Sequence, residues 1–335
     1  MTTAVDLVAV QIAPLTVWTN HEFRPAARGL FLAGLAPHRL VQAANSSGSV
    51  LAPGQSDSAF AAADLAFGQP VPADILANPR LRWAEISTAG YTRFDHAEFR
   101  AAMRARGTII TNVSAVFANP CAEHLLAMML AFARELPKHL LNQVGPKAWA
   151  YEEGRFTIDT LTGRTVVILG YGAIGKRLVE LLAPFRCRVI AVRRAPRGDE
   201  GVETAAETDL PQVLPLADYV VNALPDNPGS RGSCNAAMFA RVKRGAFFCN
   251  VGRGSTVNQS DLVAALRAGL VGGAYLDALD PEPLPPAHPL WTAPNCFITP
   301  HVGGGHREQD ESLAKHFLEN LRRFERGEPL VDRVM

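Results

Sequence analysis

The stretch from Thr165 to Gly175, Thr-Val-Val-Ile-Leu-Gly-Tyr-Gly-Ala-Ile-Gly, decides how the chain is read. Its apolar residues up to Leu169, mostly β-branched, have the composition of a buried parallel strand. A Gly-x-Gly-x-x-Gly turn follows at once. Gly170 permits the tight turn, Gly172 lets a pyrophosphate come close to the backbone, and Gly175 lets the next helix pack against the strand. That helix is expected over Ala173 to Ala183, with Leu178, Leu181 and Leu182 on one face. The amides of Ala173 and Ile174 then belong to a free helix N-terminus that faces an anion. A second strand, Arg188 to Val192, completes a βαβ unit, and this context, more than the glycine spacing, points to a dinucleotide site.

Working outward, 335 residues suffice for two domains with separate cores. A composition of 48% hydrophobic and 19% charged residues is that of a soluble globular protein. With 33 basic against 32 acidic residues, the charge gives no reason to expect nucleic acid or an anionic membrane as partner. Five scattered cysteines without Cys-x-x-Cys spacing suggest neither a metal site nor a disulfide framework, and fit a reducing compartment. The N-terminus lacks a basic signal-peptide region, so a cytoplasmic protein is expected. The most apolar helix candidate, Cys121 to Arg134, contains Glu123 and His124 and reads as a core or interface helix.

In the first part of the chain, strands are expected at Val5 to Ile12, His38 to Ala44, Asp64 to Phe67, Trp83 to Ile86 and Thr108 to Thr111. Helices are expected at Glu22 to Ala33 and Pro72 to Ala77, with loop from Asn45 to Asp57. This part has no phosphate-binding glycine pattern and is the candidate substrate domain. A helix starting near Pro120 and stopped by Pro137 leads onward, through a connection holding Trp149 and Tyr151, to the nucleotide unit. Further strands are expected at Tyr219 to Leu224, Ala246 to Val251, Gly272 to Leu279 and Cys296 to Thr299. Helices Ala236 to Val242 and Ser260 to Ala268 lie between them. A last amphipathic helix, Arg307 to Arg326, carries Leu313, Phe317, Leu321 and Phe324 on one face.

In open α/β sheets, ligands bind beyond the carboxyl ends of the strands. Three such ends carry chemistry: Arg253 in Asn-Val-Gly-Arg-Gly, Glu282 in Asp-Pro-Glu-Pro, and His301 in Thr-Pro-His-Val-Gly-Gly. A guanidinium can grip a carboxylate and stabilise charge growing on a carbonyl oxygen. An imidazole can donate a proton near neutrality, and a carboxylate beside it favours its protonated form. The combination suits hydride transfer to a 2-oxo acid, with the hydride carried by a cofactor.

At this point the chain resembles the D-isomer-specific 2-hydroxyacid dehydrogenases along nearly its whole length. The matching pieces are Asn-Val-Gly-Arg-Gly at 250 to 254, Asp-Leu-Val-Ala-Ala-Leu at 261 to 266, Leu-Asp at 276 to 277, Pro-Glu-Pro-Leu at 281 to 284 and Pro-His-Val-Gly-Gly at 300 to 304. The resemblance implies a catalytic trio of Arg253, Glu282 and His301. It implies substrate contacts from the amides of Ala89 and Gly90, with Arg253 and His301. Cofactor contacts are implied at Leu224 and Pro225 on the adenosine side, at Asp277 on the nicotinamide carboxamide, and at Val251, Gly252 and Gly303.

The same resemblance implies two doubly wound, Rossmann-like parallel-sheet domains with a cleft between them: a flavodoxin-like substrate domain of residues 1–113 plus 304–335, and a dinucleotide domain of residues 114–303. A homodimer is also implied, through the helix from Pro120 to Leu136, with Trp149 reaching a neighbouring pocket. Departures at Tyr91, Ala115, His306 and Asn227 to Ser230 leave the side chain of the substrate open. Glyoxylate and hydroxypyruvate are the leading candidates. The alternatives are a dinucleotide-sensing co-repressor type of binding protein, and a dehydrogenase of an unusual substrate.

Cofactor choice turns on the end of the second strand of the nucleotide unit, where a ribose-binding carboxylate is expected for NAD. The sequence has Arg193, Arg194 and then Arg197, whose guanidinium groups suit a 2′-phosphate. NADP is therefore the expected cofactor, with NAD possible.

Overall fold

The computed structural model describes residues 13–48, 54–149 and 151–335. The chain divides into two compact units, Met1–Val116 with Arg307–Met335, and Phe117–His306. Each is an α/β structure around one parallel sheet, as the sequence pattern requires.

The first unit opens, within the described residues, with β1 (Thr16–His21), α1 (Pro25–Leu35), β2 (Arg39–Ser47), β3 (Leu65–Gly68), α2 (Pro72–Ala77), β4 (Trp83–Ile86), α3 (Ala97–Arg106) and β5 (Ile109–Thr111). Its five strands run in the order β2-β1-β3-β4-β5, all parallel. The strand expected at Val5 to Ile12 lies outside the described residues. No strand was expected at Thr16–His21, because Thr19, Asn20 and His21 break the apolar pattern; all three are nevertheless buried. The partners of Asn20 and His21 are distant in sequence, whereas the Thr19 hydroxyl accepts the His21 N–H at 3.1 Å. Asn20 exchanges side-chain bonds with the backbone of Gln69, accepting from its N–H at 2.8 Å and donating to its carbonyl at 3.1 Å. The expected loop from Asn45 is partly strand as well, since β2 continues to Ser47.

α4 (Ser114–Ala133) begins six residues before the proline expected to start it, and Pro120 sits inside the helix. The start is set instead by acceptors. Asn112 takes the N–H of Ser114 at 3.2 Å, and the Asp332 carboxylate takes that of Ala115 at 2.7 Å. Pro137 likewise opens a helix, α5 (Leu136–Val144), after a break at Glu135, whose φ is +49°. Tyr151 belongs to a further helix, α6 (Tyr151–Thr157), rather than to a simple connection.

The second unit continues with β6 (Thr165–Leu169), α7 (Ala173–Leu182), β7 (Arg188–Arg193), β8 (Glu203–Ala206), α8 (Leu210–Val213), β9 (Tyr219–Asn222), α9 (Ala236–Phe239), β10 (Ala246–Asn250), α10 (Gln259–Arg267), β11 (Val271–Leu276) and β12 (Cys296–Ile298). Seven parallel strands run β12-β11-β10-β9-β6-β7-β8. The edge strand β8 was not expected, being short and half polar. Strand order reverses between β6 and β9, so the glycine turn after β6 lies at the topological switch point.

Alternate residues of the second sheet face opposite cores. Val167, Leu169 and Phe248 pack with Leu262 and Leu266 of α10, while Val166, Ile168, Cys249 and Tyr275 pack with Leu125 and Met129 of α4 and with Leu178 and Leu182 of α7. Burying each such side chain contributes about 1.5–3 kcal/mol, which makes α4 a core helix along that face.

The last helix, α11 (Gln309–Arg326), belongs to the first unit. Its Phe317 ring lies 5.3 Å from Phe31 of α1 and 4.7 Å from Trp83 of β4. Leu313 and Leu321 are buried on the same face, whereas Phe324 is only half-buried.

Candidate active site

Strands β9, β10 and β11 end earlier than their apolar runs, at Asn222, Asn250 and Leu276. The two buried asparagines explain the stop. The Asn222 amide donates to Asn250 Oδ1 at 2.9 Å and to Thr256 Oγ1 at 2.7 Å, and the Asn250 amide donates to the Ala278 carbonyl at 2.8 Å. These cross-links hold three strand ends together and leave Leu224-Pro225, Val251-Gly252-Arg253 and Asp277 in the loops beyond. Neither asparagine was singled out from the sequence; a polar residue closing an apolar strand was the available signal.

The glycine turn has the geometry its spacing implies. Gly170 has φ of +93°, and a Cβ there would lie 3.0 Å from the Ala223 carbonyl oxygen. A Cβ on Gly175 would meet the Gly170 oxygen at 2.9 Å, so helix and turn are in backbone contact. Around Gly172, which caps α7, a Cβ would meet nothing within 4 Å. The backbone at Gly172 therefore faces open space at a helix N-terminus, and with the first helical residues Ala173 and Ile174 it fits a pyrophosphate.

Arg253, Glu282 and His301 all lie in the second unit. His301 Nδ1 is 2.8 Å from Glu282 Oε2, and Glu282 Oε1 accepts the Leu279 N–H at 2.8 Å. The bond to Glu282 outweighs burial and raises the His301 pKa above its ordinary value. Burial pushes the Glu282 carboxyl up, but the bonds from His301 and Leu279 more than offset it, and the carboxyl is held below its usual range. Arg253 is half-buried, with Nη1 on the Gly252 carbonyl at 2.7 Å. Its desolvation lowers its pKa, opposed by the charges of Glu282 and Asp226, and a guanidinium remains protonated regardless. Cys121 lies near enough to feel the Arg253 and Asp277 charges, but burial pushes its thiol up to about 12 and leaves it inert.

Asp277 accepts from Thr299 Oγ1 at 2.6 Å, from the Val302 N–H at 2.9 Å and from the Gly303 N–H at 2.9 Å. A Cβ on Gly303 would stand 2.7 Å from Asp277 Oδ2, which accounts for the glycine. Leu224 and Gly252 come together as two loops, a Cβ on Gly252 meeting the Leu224 oxygen at 2.5 Å. Pro225 leads into a turn that Asn227 closes by accepting the Gly229 N–H at 3.0 Å.

At the end of β7 the linear reading missed a partner. Arg193 Nη1 is 2.8 Å from Glu200 Oε1, and the same carboxylate accepts the N–H groups of Arg197 and Gly198 at 2.8 Å each. The backbone donor at Arg197 is the leading cause that lowers the Glu200 pKa. Arg194 and Arg197 are exposed and make no ion pair among the described residues. In the first unit, Ala89 and Gly90 follow β4. Their loop is pinned by the Thr88 hydroxyl donating to the Gly90 carbonyl at 2.7 Å and the Asn112 amide donating to the Ala89 carbonyl at 2.7 Å. No group of three or more potential metal ligands occurs among the described residues.

The family model described as D-isomer specific 2-hydroxyacid dehydrogenase, NAD binding domain, matches residues 126–303. The chain is 34% identical over 231 residues to the human glyoxylate reductase/hydroxypyruvate reductase, spanning 68% of this chain and 70% of that protein. The crystal structure of an NADPH-dependent glyoxylate/hydroxypyruvate reductase from Sinorhizobium meliloti, in complex with NADP and sulfate, superposes with a TM-score of 0.75 at 26% identity, covering 96% of this chain and 98% of that one. A D-isomer specific 2-hydroxyacid dehydrogenase from Xanthobacter autotrophicus Py2, in complex with NADPH and MES, gives 0.77 at 27% identity, with 96% and 98% covered.

Proposed function

Since the chain belongs to the D-isomer-specific 2-hydroxyacid dehydrogenase family, we propose that it reduces a small 2-oxo acid of the glyoxylate or hydroxypyruvate kind to a D-2-hydroxy acid, using Arg253, Glu282 and His301 and preferring NADPH. The observation that carries the reading is the charge-supported His301–Glu282 bond beside a desolvated guanidinium. Gly170, Gly172, Ala173 and Ile174 would hold the pyrophosphate. Leu224, Pro225, Val251, Gly252, Asp277 and Gly303 would line the remainder of the dinucleotide. Bound nicotinamide dinucleotide supplies the hydride.

The protein residues handle position and charge. Arg253 grips the substrate carboxylate and stabilises the oxygen as it gains charge. Nδ1–H of His301 is committed to Glu282, which leaves Nε2–H to protonate that oxygen. Because the folded pKa of His301 is raised, the donor stays charged above the ordinary histidine range, and reduction fades as pH rises through the raised value. We assign a further carboxylate contact to the amides of Ala89 and Gly90, on the resemblance alone.

NADPH preference rests on the exposed Arg194 and Arg197, Arg193 being held by Glu200, and on the cofactors in the two solved relatives. A homodimer is supported by the apolar surface of α5, α6 and the connection between them, where Leu140, Leu141, Val144, Trp149 and Phe156 are all exposed. The five cysteines are all free, in keeping with the cytoplasm. The test is oxidation of NADPH and of NADH across a panel of 2-oxo acids. Turnover with glyoxylate or hydroxypyruvate, faster with NADPH, is expected. Tight dinucleotide binding without turnover of any member would refute the reading and favour a sensor.

A further inference from the structure

His301 holds a left-handed backbone conformation, with φ of +53°. A residue with a side chain keeps that conformation only where its surroundings fix it. The restraints around His301 come from Asp277 and Thr299, whose carbonyls both accept the His301 N–H at 3.0 Å. The next two N–H groups, of Val302 and Gly303, both go to the Asp277 side chain.

The direction of the remaining bonds follows from the donors available. The Thr299 hydroxyl donates to Asp277 Oδ1 at 2.6 Å. That uses the single Thr299 proton. The Tyr275 hydroxyl, 2.9 Å from Thr299 Oγ1, must then donate to threonine. Tyr275 is fully buried on β11, and burial raises its pKa, so it remains a neutral phenol able to donate. The result is a one-way chain from Tyr275 through Thr299 to Asp277, ending on the two amides that follow His301. Three of the roughly four lone-pair positions of the carboxylate are filled.

We infer that Thr299, backed by Tyr275, is a positioning residue for His301: its hydroxyl fixes the Asp277 carboxylate that holds the histidine turn in its left-handed form. This inference rests on the proposed role of His301 as proton donor. Without the hydroxyl, Asp277 Oδ1 loses its shortest bond and can rotate away from the Val302 and Gly303 amides. The imidazole then loses its alignment, and the cofactor contact assigned to Asp277 is disturbed with it, while the substrate contact of Arg253 remains.

The experiment compares wild type, Thr299→Val, Thr299→Ser, Tyr275→Phe and His301→Gln by steady-state reduction of hydroxypyruvate with NADPH, each variant checked for folding by circular dichroism. Thr299→Val, which keeps the shape and removes the hydroxyl, is expected to lower kcat about tenfold with the KM for hydroxypyruvate within about twofold. Thr299→Ser should recover kcat to within about twofold, and Tyr275→Phe should cost about threefold. A kcat for Thr299→Val within about twofold of wild type, or a serine variant as slow as the valine one, overturns the inference. If Thr299→Val does not fold, Tyr275→Phe decides, and an unchanged kcat there overturns it. His301→Gln separates the two levels of argument: if it does not cost at least about a hundredfold, the proton-donor reading itself fails.

Discussion

Replacing Glu282 by glutamine changes one charge and almost no volume, and the structure dictates how the new amide must sit. Glu282 Oε1 accepts the Leu279 N–H at 2.8 Å, and a backbone N–H can only donate. The amide oxygen of the substituted side chain therefore turns to Leu279, and its NH2 group turns to His301 Nδ1. A proton on Nδ1 would then face another donor, so the imidazolium is disfavoured and the raised pKa of His301 is lost. A hydrogen bond to a charged group contributes about 1.5–3 kcal/mol, which corresponds to a roughly ten- to hundredfold fall in kcat at mildly alkaline pH. As the pH is lowered the difference should shrink, because in acid the imidazole is protonated in both proteins. The assay is kcat against pH, followed by the absorbance of the reduced nicotinamide at saturating substrate. A Glu282→Gln enzyme whose profile overlays that of wild type would refute the role given to the carboxylate. A uniform fall at every pH would show that Glu282 orients the ring without setting its charge.

Cofactor preference should answer to the basic run after β7. Removing the guanidinium in Arg194→Ala is expected to lower kcat/KM for NADPH about ten- to hundredfold while leaving the value for NADH within about twofold; equal losses for both cofactors would contradict a phosphate contact. A prediction of another kind concerns the first unit, where His316 Nδ1 lies 3.1 Å from Glu85 and Nε2 lies 3.2 Å from Asp332. Burial acts to lower its pKa, but the two carboxylates win and raise it from 6.5 to about 9. Its stabilisation is complete below the unfolded value and is lost as pH rises through about 9. That amounts to roughly 3 kcal/mol. Denaturant unfolding near pH 6.5 and near pH 10 should show this loss in wild type and not in His316→Gln; parallel behaviour of the two proteins would contradict it.

The βα alternation and the glycine turn were legible because each is a local pattern: apolar period, turn residue, helix face. The meeting of Glu282 with His301 was legible because parallel sheets bring their strand ends to one edge. What escaped depends on pairs far apart in the chain. β1 was missed because its buried Thr19, Asn20 and His21 look polar until Gln69 and Asp310 are brought beside them. Pro120 misled the reading of α4, since the capping came from Asn112 and from Asp332 more than two hundred residues later. Glu200 was overlooked because the ribose-binding carboxylate was sought at the strand end, whereas the loop returns a carboxylate to Arg193 seven residues on. The asparagines closing β9 and β10 were hidden for the same reason, each being meaningful only against the other.

The most direct measurement uses NADPH deuterated at the reactive carbon of the nicotinamide ring, with hydroxypyruvate as acceptor and the product resolved by chiral chromatography and mass spectrometry. The account predicts a D-configured hydroxy acid carrying deuterium at its second carbon, and almost none of it with Arg253→Gln or His301→Gln. An L-configured product, a product without deuterium, or undiminished labelling by either variant would contradict it.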